Sequence, residues 1–152
     1  MLVMRSETLW SAYLLCWWEI DVSTFLGKGW RFPIKPNGRG GLDWSSGERS
    51  ISESIWTILS TPRRSRIMSP GFGCGMHDYL FSPNNATTRA MIATDVRNAL
   101  VKWEPRIDVL KVNATTRADN PNMLMVEVDY RIRTNNANSN IVYPFYLNEG
   151  GS

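Results

Sequence analysis

Ligands for metal or disulfide chemistry are scarce in this sequence: its 152 residues include two cysteines and one histidine. Cys16 and Cys74 lie far apart, with neither the short paired spacing of a zinc site nor the density of a disulfide framework. A metal centre would need carboxylates for nearly all its ligands, and no such cluster is visible. Both thiols and His77 therefore read as packing residues, and no metal or cofactor is expected. Positive charge is also thin. The net charge is +3, and no run of Lys and Arg exceeds two residues, so no nucleic-acid partner is expected. The apolar run Leu9–Trp18 is ten residues long and broken by Ser11, too short to span a bilayer. Trp17, Trp18 and Glu19 stand where a signal peptide would place small residues.

Apolar residues make up 43% of the chain, enough for the core of one domain. The reading is an aromatic extension over 1–22, a single domain over 23–148 and a disordered tail over 149–152. In the extension, Trp10, Leu14 and Trp17 recur at helical spacing, with Tyr13 beside them. Three uses stay open: docking on the domain or a partner, a membrane-surface anchor, or a start codon placed too early. Seven tryptophans in so short a chain point toward an assembly, because Trp covers much area at low entropy cost.

The fold class expected is α+β: a small, mainly antiparallel sheet of three to four strands covered by two main helices. The first helix is placed at about 48–60, where Ser45 and Glu48 have capping-box spacing and Ile51, Ile55, Ile58 and Leu59 mark one face. The second is placed at about 86–103, capped by Asn85 or Thr87, with Ile92, Val96, Leu100 and Trp103 on its apolar face. Before the first helix, glycines and prolines break regular structure, leaving an aromatic-pinned loop with a short strand near Arg31–Ile34. Gly38-Arg39-Gly40-Gly41 lacks the Gly-Lys-Ser/Thr ending of a phosphate loop and reads as a turn. Gly71, Gly73 and Gly75 likewise lack a preceding strand, and read as a tight turn into a short helix, Met76–Phe81. Arg63, Arg64 and Arg66 form either a solvated basic turn or a loop that docks acidic groups.

Three strands are expected in the C-terminal half. The first runs Ile107–Thr116, followed by a turn at Asn120-Pro121-Asn122. In the second, Leu124, Val126, Val128, Tyr130 and Ile132 alternate with Glu127, Asp129, Arg131 and Arg133. After a polar loop at Thr134–Asn140, the third runs Ile141–Leu147, and Pro144 places it at an edge or bulge. An exposed edge can accept a strand from another chain.

Between the second helix and the sheet lies Glu104-Pro105-Arg106. Proline drives the preceding residue out of the α region, so Glu104 should leave the helix. The two charges then either staple the junction or dock a partner. A glycosidase would instead need facing carboxylates about 5–9 Å apart, and Glu104 with Asp108 or Asp78 is the pairing on offer. A cation beside Glu104 lowers its pKa, whereas a general acid needs the reverse, so catalysis is not expected.

Several stretches in one order carry a resemblance. They are Gly27-x-Gly29-Trp30-x-Phe32-Pro33; Ile51-x-x-Ser54-Ile55-x-x-Ile58-Leu59-x-Thr61; Arg66-x-Met68; Phe72-Gly73-Cys74-Gly75-Met76-His77-Asp78; Leu80-Phe81; and Trp103-Glu104-Pro105-Arg106-Ile107. Over about residues 24–133 the chain resembles the baseplate wedge or sheath-initiator family of contractile phage tails, extracellular contractile particles and type VI secretion systems. Members also carry a lysozyme-like label. The resemblance implies a non-enzymatic subunit assembled in the bacterial cytoplasm. Its implied partners are the larger baseplate wedge subunits and the sheath protein, with hub, spike or inner-tube proteins as further neighbours. It implies that Glu104, Pro105 and Arg106 dock on the wedge, with Arg66 as a further contact, and that the edge strand with Ile141, Tyr143, Phe145 and Leu147 meets the sheath. One departure stands out: Arg64-Ser65-Arg66 occupies the place of the family's usual Gly-Glu-Arg. The alternatives are a peptidoglycan hydrolase and a membrane-surface adaptor using residues 1–22.

Overall fold

The computed structural model describes residues 26–38 and 40–147. The aromatic extension, the tail and the readings placed on them lie outside the described residues. Among the described residues, five strands and two α-helices follow in chain order: β1 (Lys28–Trp30), β2 (Trp44–Ser46), α1 (Glu48–Ser60), α2 (Ala86–Trp103), β3 (Ile107–Arg117), β4 (Asn120–Ile132) and β5 (Asn138–Tyr146). The class is α+β. β1 and β2 form a separate two-stranded sheet, and the main sheet has the order β3-β4-β5, antiparallel throughout.

Side-chain alternation on β4 sets the architecture. Leu124, Val126, Val128, Tyr130 and Ile132 are buried, while the residues between them lean to the other face. α2 lays Ile92, Val96, Ala99 and Leu100 against this surface, and α1 adds Ile51, Ile55, Ile58 and Leu59. Each fully buried Ile or Leu contributes about 1.5–3 kcal/mol relative to an exposed one, so both helices are held by their apolar faces. Asn85 caps α2, its side-chain oxygen accepting the Thr88 amide at 2.7 Å.

Local boundaries differ from expectation where a competing interaction wins. The capping box does not form: Gly47, with φ 66°, precedes α1 without a side-chain cap, and Ser45 is buried in β2. The strand expected at Arg31–Ile34 lies earlier, at Lys28–Trp30, because its partner is Trp44–Ser46; the Phe32–Pro33 peptide beyond it is cis. The turn at Gly38–Gly41 does form, with the Asn37 amide donating to Gly41 O at 2.7 Å. Asn120-Pro121-Asn122 is not the hairpin turn. Arg117 pairs with Asn120, so Ala118 and Asp119 turn the chain and Pro121 belongs to β4. β5 starts at Asn138, inside the stretch expected to be loop, because Asn138 pairs with Arg131. The short helix after the glycines is a 3-10 turn, Gly75–Tyr79.

Two of those glycines are forced. Gly73 has φ 102°, and a Cβ there would sit 2.2 Å from Thr61 O. At Gly75 a Cβ would come within 2.9 Å of both the Arg63 guanidinium and an Asp95 oxygen. The alternation of glycine thus lets this strand of chain slide between the end of α1 and the Arg63–Asp95 pair.

Candidate interaction sites

The proline corner closes α2. Glu104 is its C-cap, at φ −125° and ψ 79°, and its amide still donates to Leu100 O at 2.9 Å. Arg106 then turns its guanidinium back onto the carboxylate. Nε donates to Glu104 Oε1 at 2.6 Å and Nη2 to Oε2 at 2.7 Å, the bidentate geometry that suits arginine. The remaining nitrogen, Nη1, donates to Leu26 O at 2.8 Å, eighty residues away in sequence. The Ser54 hydroxyl of α1 also hydrogen-bonds to Glu104. The pair therefore ties α1, the end of α2 and the chain entering β1 into one knot.

The electrostatics follow from this packing. Burial pushes the Glu104 carboxyl up, but Arg106 and Ser54 outweigh it and hold it below the ordinary carboxylate range. The Glu104 bond raises the Arg106 pKa against the opposing effect of burial. The Glu104 side chain is 3% exposed and that of Arg106 31%. Pro105 is exposed between them. Of the alternatives posed by the corner, the pair faces inward as a staple, leaving Pro105 and the outer rim of one guanidinium to the surroundings.

The three loop arginines have separate fates. Arg63 lies 3.6 Å from Asp95, which also accepts from the Tyr79 hydroxyl at 3.2 Å. Arg66 stacks over Phe72 at 4.0 Å. Arg64 sits at φ 66° with its amide donating to Pro70 O at 2.9 Å. The loop is shaped by its own contacts, and its tip, Ile67-Met68, is almost wholly exposed. Asp108 lies on the polar face of the sheet, held by Arg133 at 2.8 Å and Arg131 at 3.3 Å, which lower its pKa.

β5 has β4 as its one strand neighbour among the described residues. The ladder's parity decides which groups are spoken for. Ala137 O accepts the Ile132 amide at 2.9 Å, and the Leu147 amide donates to Asn122 O at 2.8 Å. Odd-numbered residues of β5 thus turn their backbone toward β4, and even-numbered ones turn theirs away. Asn138, Asn140, Val142 and Tyr146 present N–H and C=O to the open side, and Pro144 presents a C=O alone. A proline belongs there, since its missing N–H is one that β4 does not need. The side chains of Phe145 and Leu147 are buried in the core, with Ile141 and Tyr143 packed against it. Those four residues shape β5 from inside; the groups facing outward belong to their neighbours.

The structure joins Glu104 and Arg106, one of the two uses the sequence left open, and adds Ser54 and the Leu26 carbonyl, which the sequence reading missed. A serine between Ile51 and Ile55 on a buried face was the available signal, since a polar group there needs a partner. Among the described residues, no group of three His, Cys, Asp or Glu side chains could hold a metal, and no helix is long and apolar enough to cross a membrane.

Comparison with known proteins addresses the resemblance. The family model of baseplate wedge protein gp25 matches residues 45–137. The baseplate wedge protein gp25 of Enterobacteria phage T4 is 34% identical over 100 residues, covering 62% of this chain and 75% of the phage protein. A crystal structure from Geobacter sulfurreducens, provisionally named a tail lysozyme, is 48% identical with a TM-score of 0.65, covering 70% of this chain and 96% of that one. A chain of the anti-feeding prophage baseplate shares the fold at 20% identity and a TM-score of 0.62, covering 84% and 90% of the two chains. The chain belongs to the family of the baseplate wedge protein gp25, structural components of phage-tail-like contractile baseplates.

Proposed function

We propose that this chain is a non-catalytic wedge subunit that docks on larger wedge subunits at its helix–strand corner and offers the free edge of β5 to an arm of the sheath protein, starting sheath assembly. The assembly is a particle baseplate built in the bacterial cytoplasm. The observation that carries the reading is the parity of β5. Its outward backbone groups form a ready ladder for one more strand, and they belong to residues whose neighbours anchor β5 in the core. At the corner, exposed Pro105 and the outer rim of Arg106 supply a rigid contact that their own salt bridge holds in place. Arg66, fixed over Phe72, is a further contact on the same subunit.

A peptidoglycan hydrolase, suggested by the provisional name of the Geobacter protein, is disfavoured by the carboxylates themselves. Glu104 and Asp108 are each held by arginine, which keeps them ionised, whereas a glycosidase acid must stay protonated.

Amide hydrogen exchange of the full chain, with and without sheath protein, tests the reading. Added sheath protein should protect the amides of Asn138, Asn140, Val142 and Tyr146. Those of Ile141, Tyr143 and Phe145, already turned to β4, should change little. Protection confined to another surface would contradict it.

A further inference from the structure

Among the described residues, the hairpin and α1 leave an apolar surface uncovered. Trp30 and Trp44, cross-strand partners, are 61% and 65% exposed, and Phe32 is 55% exposed. Phe32, Pro33 and Trp56 line a groove of about 490 Å³, with Arg49, Ser52 and Glu53 completing its walls. Single exposed apolar residues are ordinary, but a groove with aromatic walls beside a pair of exposed tryptophans is a surface that something covers.

We propose that residues 9–18 of the same chain fill this groove. The point of attachment is the first argument. Leu26 is buried and its carbonyl is held by Arg106, so the preceding residues leave from a fixed anchor. Phe32 is six residues from Leu26, hence no more than ~22 Å away. The eight residues from Trp18 to Leu26 span up to ~28 Å when extended, which is enough to bring the apolar stretch back to the groove.

Chemistry is the second argument. Trp10, Leu14 and Trp17 have the i, i+4, i+7 spacing of anchors that enter an apolar groove. Residues 8–18 carry no charge. The groove asks for none, because its two charged members, Arg49 and Glu53, pair with each other at 3.2 Å.

The native thiol of Cys16 gives a direct test in the full chain, since Cys74 is buried. Arg49→Cys places a second thiol on the groove. Asp119→Cys places one on the β3–β4 turn, at the far end of the main sheet from the corner. A short bismaleimide should link Cys16 within single chains about ten-fold more efficiently in Arg49→Cys than in Asp119→Cys, as a locally raised effective concentration requires. Adding Trp10→Ser, Leu14→Ser and Trp17→Ser to Arg49→Cys should bring the yield down to the Asp119→Cys level, with circular dichroism confirming that the domain stays folded. Equal yields at the two sites would overturn the proposal. So would links found between chains only, which would assign the groove to a second copy. Recovery of wild-type chain with anionic vesicles, with no link at Arg49→Cys, would overturn it too and assign the aromatics to a membrane surface.

Discussion

The proline corner and the β5 edge are opposite solutions to the same problem of unsatisfied polarity. At the corner, every strong group has been turned inward: a carboxylate and a guanidinium grip each other, and the spare nitrogen takes a carbonyl from across the fold. At the edge, half of the backbone groups of β5 have been left facing out, while the side chains alternating with them are sunk in the core. The difference teaches that conspicuous charge is a poor guide to where a subunit is incomplete. Glu104 and Arg106 draw the eye in the sequence, yet they are largely satisfied within the chain. The outward amides of β5 have only Pro144 to mark them in the sequence, and they meet no further strand among the described residues.

Removing one half of the staple should produce the largest effect. Arg106→Ala strands a buried carboxylate and should cost about 3–5 kcal/mol in urea unfolding at neutral pH. Glu104→Gln combined with Arg106→Met should recover most of that loss, since neither charge is then left alone. If Arg106→Ala unfolds like wild type, the corner is not a staple and the contrast with the edge collapses.

Proline substitutions probe the edge. Ile141→Pro deletes an N–H that faces β4, strands its acceptor and should cost about 1–3 kcal/mol. Val142→Pro deletes one that faces outward and should cost clearly less, read as the difference in urea midpoints. Equal losses would mean that the parity is wrong.

Acid should act on the corner more than on the edge. The folded pKa of Glu104 lies below its unfolded value near 4.5. Between the two values the unfolded state binds more protons, so stability rises with pH there. The contribution is complete above that value and is lost as pH falls through the depressed pKa. A pH series of thermal midpoints should show a shallower acid slope for the Glu104→Gln, Arg106→Met double variant than for wild type. The smallest effect should come from Asp108→Asn, because its pairs with Arg131 and Arg133 are solvent-screened. Its midpoint shift should fall well below that of Arg106→Ala.

Much of this was legible in the chain. α2 announces itself through Asn85, an apolar face and Pro105, and β4 through strict alternation. The corner's pairing was foreseeable from its two charges, but its burial depends on Ser54 and Leu26, which only the packing brings near. The β1–β2 hairpin was hidden because each strand is three residues long, too short for a period to register. The turn at Ala118-Asp119 was masked by the stronger turn composition of Asn120-Pro121-Asn122. The parity of β5 has one marker in the sequence, Pro144, whose missing N–H belongs to an outward position. From Ile141 to Leu147 every residue is apolar, so no alternation of side chains adds to that marker.

The central claim, that the outward backbone of β5 is the surface on which assembly starts, is tested most directly by sheath polymerisation seeded with wedge complexes carrying Val142→Pro. The account predicts a variant that folds and joins the larger wedge subunits as wild type does, yet fails to start sheath growth. Seeding at the wild-type rate by that folded variant would contradict it.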